Sequence, residues 1–352
     1  MKSNGGAEHG GPNLEELCRL GVDAANLLDF SVCTNPFGPS PRVSEAVAGV
    51  RPEFYPDRDA HALRAAVAEA YAISPQRILA GNGVSELIWL AALAFLRPRD
   101  RVLVIGPTYS EYARSAMLRE AKISVWNARE QDDFAVGLQA IDAELRRCKP
   151  RLMFLCNPNN PTGSIVGPEA IVALARTHPS TMFVIDEAYQ GFVPPLPSLM
   201  PAAENNLLVL RSMTKDYALA GLRIGCAVGS SELIGALTRV RPPWSVNSFA
   251  QAAAVAALRD GDHLAQSLRN LWRAKEDLVA GLTQVGFKVS PSAMHYFLMR
   301  VPDSAGFRLA LLRKGILVRD AASFGLPGFV RVATRRPDEN ARLLAILSEG
   351  YD

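Results

Sequence analysis

The stretch RVLVIGPTYSEYARSAMLREAKISVW, residues 101–126, decides how the chain folds. Residues 102–105 are apolar and stop at a Gly-Pro step, which reads as a short buried strand. YSEYARSAMLRE then spaces its apolar residues as an amphipathic helix does, and KISVW is a second strand. Strands that are apolar along their length, with helices between them, belong to a mainly parallel sheet covered on both faces.

The same alternation runs outward in both directions. Upstream, GVSELIWLAALAFLRP (83–98) is a buried helix with glycine before it and proline after it. Its longest apolar run, residues 87–96, is too short to span a bilayer. Downstream, helices in 134–150 and 168–178 alternate with strands in RLMFLCNP (151–158) and TMFVIDEA (181–188). NLLVLRSM (206–213) and RIGCAVG (223–229) add two more strands. Beyond residue 241 the pattern changes to two long helices, the second able to bridge two domains, then short strands at 287–290, 295–301, 316–319 and 329–334. The expected architecture is α/β: a large domain with a mainly parallel seven-stranded sheet between helices, and a small C-terminal α+β domain. The expected division is 1–45, an N-terminal segment packing on the small domain and the active site; 46–245, the large domain; and 246–352, the interdomain helix and small domain.

The chain has 352 residues, 49% hydrophobic and 21% charged, with a net charge of +3. That composition suits a globular enzyme with a large core. The basic residues are scattered, so neither a nucleic-acid partner nor a membrane surface is expected. Five cysteines without a CxxC pair suggest a reducing, cytoplasmic setting with no structural disulfide and no metal. MKSNGGAEHGGPN lacks the apolar run of a signal peptide.

In an open sheet of this kind ligands bind beyond the carboxyl ends of the strands, and four polar groups fall there. GNGVSE (81–86) opens a helix, and Gly83, Val84 and Ser85 there offer either an ordinary cap or an anion site of free N–H groups. CNPNNPTG (156–163) is a connecting loop or a source of amides, Asn160 among them, facing a ligand. In VIDEAY (184–189), Asp186 ends a buried strand, where a carboxylate needs a cation or donors unless it is a helix cap. RSMTKDYALAGLRIG (211–225) offers the hydroxyls of Ser212 and Thr214, the guanidinium of Arg223 and one amine, Lys215. A lysine desolvated beside cations becomes a nucleophile for carbonyl compounds. Together the four groups describe a ligand with a phosphate, a basic ring nitrogen, a ring oxygen and an aldehyde. That ligand is pyridoxal 5′-phosphate, with Lys215 as its Schiff-base lysine.

NPNNPTG, DEAY and SMTK…LRIG, in this order and spacing, resemble the fold-type I pyridoxal-phosphate enzymes of the class I/II aminotransferase superfamily over nearly the whole chain. The resemblance implies that Asp186 meets the pyridine nitrogen, that Asn160 and Tyr189 meet the ring hydroxyl, and that Tyr109 stacks on the ring. It implies that Val84, Ser85, Ser212 and Arg223 hold the phosphate. It also implies a homodimer, in which Tyr55 of FYPD reaches the partner's phosphate site.

Within the superfamily the resemblance is nearest to threonine-phosphate decarboxylases of cobalamin biosynthesis, then to histidinol-phosphate aminotransferases. EHGGPN, with His9, LLDFSVCTNPFGP and RPPWSVNSFAQAAA carry the first likeness. Arg319 in ILVRD and Arg331 in FVRVATR match a phosphorylated substrate. Cys33 replaces an asparagine that both groups usually have in N-x-N-P, two residues before Asn35. The expected substrate set is therefore His9, Cys33, Asn35, Asn160, Arg319 and Arg331. The expected reaction is decarboxylation of L-threonine O-3-phosphate to (R)-1-aminopropan-2-yl phosphate. The alternative is transamination of histidinol phosphate or another amino acid, with 2-oxoglutarate as acceptor. A pyridoxal-phosphate-sensing regulator would need a DNA-binding domain before an enzyme-like pattern that here begins almost at once.

Overall fold

The computed structural model describes residues 10–350. The chain first contributes a two-residue strand, β1 (Leu28–Asp29). It continues through β2 (Ile78–Gly81), β3 (Arg101–Gly106), β4 (Lys122–Asn127), β5 (Leu152–Cys156), β6 (Met182–Asp186), β7 (Leu207–Ser212) and β8 (Gly225–Val228). It ends with β9 (Tyr296–Arg300), β10 (Ile316–Leu317), β11 (Arg319–Asp320) and β12 (Phe329–Ala333).

Two compact units result. The larger comprises residues 38–160 and 164–266. Its seven-stranded sheet runs in the order β2-β8-β7-β6-β5-β3-β4. Only β8 is antiparallel to its neighbours. The expected mainly parallel seven-stranded sheet is present. Leu103, Met153, Leu155, Phe183, Ile185 and Val209 belong to one apolar cluster, on one face of the strands. The alternate residues Val104, Leu152, Phe154, Val184 and Leu208 are buried as well. Burial on both faces is why these strands read as unbroken apolar runs.

The smaller unit comprises residues 10–37, 161–163 and 267–350. It carries a three-stranded antiparallel sheet, β11-β12-β9, and the parallel pair β1-β10. Leu278, Leu282, Phe297, Met299, Val330 and Leu343 form its core with Leu28 and Phe30. The helix Leu14–Leu20 adds Leu17 against Leu312 and Leu317. Residues 38–45 and the helix Ser248–Leu258 lie in the larger unit, and the long helix Gly261–Gln284 passes the boundary between the units at residue 267. FKVS forms no strand of its own and contributes one bridge, Val289 to Met299.

Candidate active site

In the larger unit, parallel register brings strand ends together. Cys156 pairs with Asp186, and Asp186 with Leu210. Asp186 is buried. Its Oδ2 accepts from the Tyr112 hydroxyl at 2.6 Å and its Oδ1 from the Ala188 N–H at 2.9 Å. Burial nevertheless raises its carboxyl to about 6, against those two donors and the nearby charge of Lys215. A second cation would favour the charged form further. Tyr112 is fully buried, stacked on Phe154 at 5.1 Å and edge-on to Tyr109 at 5.7 Å. The sequence reading missed Tyr112. Its only signal there is that it lies three residues after Tyr109.

Tyr109 is half-buried, its phenol 3.2 Å from the Ser85 hydroxyl. Burial is the main reason its hydroxyl is pushed above the usual phenol range. Ser85 lies in the first turn of the helix Gly83–Phe95, whose N-cap residue Asn82 makes no side-chain cap. The backbone N–H of Asn82 instead donates to Glu86 at 2.6 Å. Gly83 has φ +75°, and a Cβ on it would stand 2.6 Å from Nη2 of Arg223. Arg223 itself has φ +59°, with Nη1 donating to the Ala220 carbonyl at 3.1 Å. A guanidinium thus lies against a helix N-terminus, two sources of positive charge at one point. A Cβ on Gly225 would come within 3.3 Å of the Val84 nitrogen, so β8 also starts against that turn.

Lys215 is half-buried in the bend after β7. Ser212 and Thr214, both buried, are joined through their hydroxyls at 2.8 Å. Asn160 and Tyr189 are buried. Two other asparagines of the 157–160 run build the loop. Asn157 exchanges two hydrogen bonds with the Val166 backbone, at 2.9 and 2.8 Å. Asn159 donates to the Pro107 carbonyl and accepts from the Thr108 hydroxyl, each at 2.9 Å. Tyr55 stands apart from this set: 81% exposed, its ring 4.9 Å from that of Trp244.

In the smaller unit, Arg319 and Arg331 face each other across β11 and β12. Both are buried. Arg319 donates to the Ser323 hydroxyl at 2.6 Å, and Arg331 to the Ser31 carbonyl. The Phe324 ring lies 5.4 Å from the Arg319 guanidinium and 5.9 Å from that of Arg331. Cys33 and Asn35 are buried, with Asn35 Oδ1 accepting from the Phe37 N–H at 3.0 Å. His9 lies outside the described residues. Among the described residues no group of three or more His, Cys, Asp or Glu is arranged to hold a metal, and no helix is long and apolar enough to cross a membrane.

The family profile of class I and II aminotransferases matches residues 25–347. A histidinol-phosphate aminotransferase of Moorella thermoacetica is 36% identical over 344 residues, covering 94% of this chain and 87% of that protein. Among solved structures, histidinol-phosphate aminotransferase from Sinorhizobium meliloti, in complex with pyridoxal-5′-phosphate, superposes with a TM-score of 0.87 at 24% identity, covering 96% of this chain and 94% of that one. L-threonine-O-3-phosphate decarboxylase from Porphyromonas gingivalis gives 0.79 at 26%, covering 91% and 98%. These findings overturn the expected threonine-phosphate decarboxylation and, with it, the place in cobalamin biosynthesis. The nearly full-length relative at 36% is an aminotransferase, and the decarboxylase enters as a structural likeness at lower identity. The decarboxylase expectation rested on the short likenesses EHGGPN, LLDFSVCTNPFGP and RPPWSVNSFAQAAA, whereas the aminotransferase likeness runs over 94% of the chain.

Proposed function

The chain belongs to the class I and II aminotransferase family, and from that premise we propose that it is a pyridoxal-phosphate-dependent aminotransferase that moves the amino group of histidinol phosphate to 2-oxoglutarate. The observation that carries this reading is the 36% identity, over 94% of the chain, to a histidinol-phosphate aminotransferase. Two features support the fit of the cofactor. The guanidinium of Arg223 against the turn at Gly83 suits a phosphate ester. The buried Asp186, its carboxyl raised to about 6, suits a cationic ring nitrogen, which would restore its charged form.

Bound there, pyridoxal 5′-phosphate supplies an aldehyde that bonds amines and a protonated ring that draws electrons from the carbon bearing the amine. The chain supplies the rest. Lys215 would hold the aldehyde, and its amine, when free, would take the proton from Cα. Asp186 keeps the ring nitrogen protonated, with Tyr112 fixing the carboxylate. Tyr109 stacks on the ring, and Asn160 and Tyr189 hold its hydroxyl. Gly83, Val84, Ser85, Ser212, Thr214 and Arg223 bind and orient the phosphate. In the smaller unit, Arg319 and Arg331 take the substrate's phosphate, with Cys33 and Asn35 as further substrate residues. The working form is a cytoplasmic homodimer in which Tyr55 completes the partner's phosphate site.

Incubating the holoenzyme with histidinol phosphate and 2-oxoglutarate tests the reading. Glutamate should form in step with loss of histidinol phosphate. No glutamate from this pair, at enzyme levels that saturate with cofactor, would reject the substrate assignment.

A further inference from the structure

We propose that Arg211 and Asp216 are the positioning pair of Lys215, gripping the chain on both sides of the lysine and registering it against Asp186. The inference rests on the reading that Lys215 bonds the cofactor.

Arg211 is the penultimate residue of β7, four residues before Lys215. Its guanidinium turns back beneath the bend. Nη1 donates to the Ser212 carbonyl at 3.2 Å and to the Glu187 carbonyl at 3.4 Å. Nη2 donates to the Asp216 carboxylate, and Nε to the Tyr71 hydroxyl at 3.2 Å. One planar group therefore holds Ser212 before the lysine and Asp216 directly after it. The same group holds Glu187, which directly follows Asp186. The two residues assigned to opposite ends of the cofactor ring are thus tied to one rigid fork.

Burial makes this arrangement costly. Arg211 is 3% exposed and Asp216 is 0% exposed. An apolar pair of similar volume often stabilises a fold as well as a buried ion pair does. A guanidinium instead fixes direction, because its donors lie in one plane at set angles. Space is also reserved for it. Gly191 lies over the pair, and a Cβ there would collide with both the Asp216 carboxylate and the Arg211 guanidinium. The 3-10 turn that carries Gly191, Gln190–Phe192, directly follows Tyr189. A positional error in the pair would therefore reach Lys215, Asp186 and Tyr189 together.

The test uses cofactor-free full-length protein: wild type, Arg211→Lys, Asp216→Asn, Gly191→Ala and Lys215→Ala. Each is mixed with pyridoxal 5′-phosphate, and the absorbance change is followed as the Lys215 amine adds to the aldehyde and water leaves. Thermal unfolding and steady-state kinetics accompany it. Arg211→Lys keeps the charge and loses the fork. It should form the covalent bond about tenfold more slowly, with kcat down by a similar factor and KM for the amino donor within about twofold. Asp216→Asn should move the same way, and Gly191→Ala should do so with no charge removed. Bond formation and kcat within about twofold of wild type in the variants that fold would overturn the proposal and leave a salt bridge serving the fold. Failure of all three to fold, beside a folded Lys215→Ala, would overturn it equally. If Lys215→Ala gives the same absorbance change as wild type, the cofactor reading itself is wrong, a separate result.

Discussion

A carboxylate at the end of a buried strand is tolerable only where donors or a cation meet it. Tyr112 is the side-chain donor to Asp186, at 2.6 Å. Hydrogen bonds to charged groups contribute about 1.5–3 kcal/mol. Tyr112→Phe should therefore lower kcat about tenfold or more, with KM for histidinol phosphate little changed, because the phenol acts through Asp186. Steady-state kinetics check it, and a variant within twofold of wild type would make Tyr112 a packing residue. At this scale burial was legible: a carboxylate ending an apolar run reads as a buried one, and Asp186 is buried at the end of its strand. In the asparagine run one residue type serves two ends: Asn157 and Asn159 bind the backbone of their own loop and its neighbour. Tyr112 was hidden because a tyrosine on an apolar helical face reads as core, and its partner lies 74 residues away.

Strands and turns were the most legible elements, and the reason is burial. Residues on both faces of β5 and β6 are enclosed, so apolarity without alternation marks them unmistakably. Short polar-rich segments were less so. FKVS lies between Gly286, at φ +97°, and Pro291, and neither neighbour lets a ladder extend. The turn at Gly83 is the element proposed to bind the phosphate, and its test follows from its backbone. At φ +75° a side chain is strained, and a Cβ would displace the Arg223 guanidinium from the helix end. Gly83→Ala should weaken cofactor binding about tenfold or more through the phosphate contact, while the apoprotein stays folded. Fluorescence titration of the apoprotein with pyridoxal 5′-phosphate measures this. Unchanged affinity would mean that the phosphate is held elsewhere.

For the molecule as a whole, family and sheet were readable because four separate motifs had to agree, whereas the choice of reaction rested on a few short segments. Two consequences remain at this scale. The first is a pH dependence. Burial raises Asp186 to about 6 and Glu187 to about 7, from ordinary values of 3.8 and 4.5. The native apoprotein then keeps protons that the unfolded chain has released. The stabilisation from these two groups is full below about 4 and is lost as pH rises through about 6 and 7, a matter of about 1–3 kcal/mol each. Asp186→Asn should flatten the fall in apoprotein melting temperature between pH 5 and 7, and an unchanged slope would rule Asp186 out as its source. The second concerns assembly. Phe54, Tyr55 and Trp244 are 59%, 81% and 47% exposed, and Tyr55 lies 4.9 Å from Trp244. Large aromatics exposed together mark a contact surface. If that surface joins two copies and Tyr55 serves the partner's phosphate site, a charge placed there should separate the subunits and weaken the cofactor together. Phe54→Glu with Trp244→Glu should therefore sediment as a monomer, with cofactor affinity and turnover both reduced at least about tenfold, since a charge buried in an apolar contact costs several kcal/mol. Tyr55→Phe should stay dimeric and lose affinity alone, because only the hydroxyl is removed. A fully active monomer of the double variant would place Tyr55 outside the reaction and make each chain sufficient for its own site.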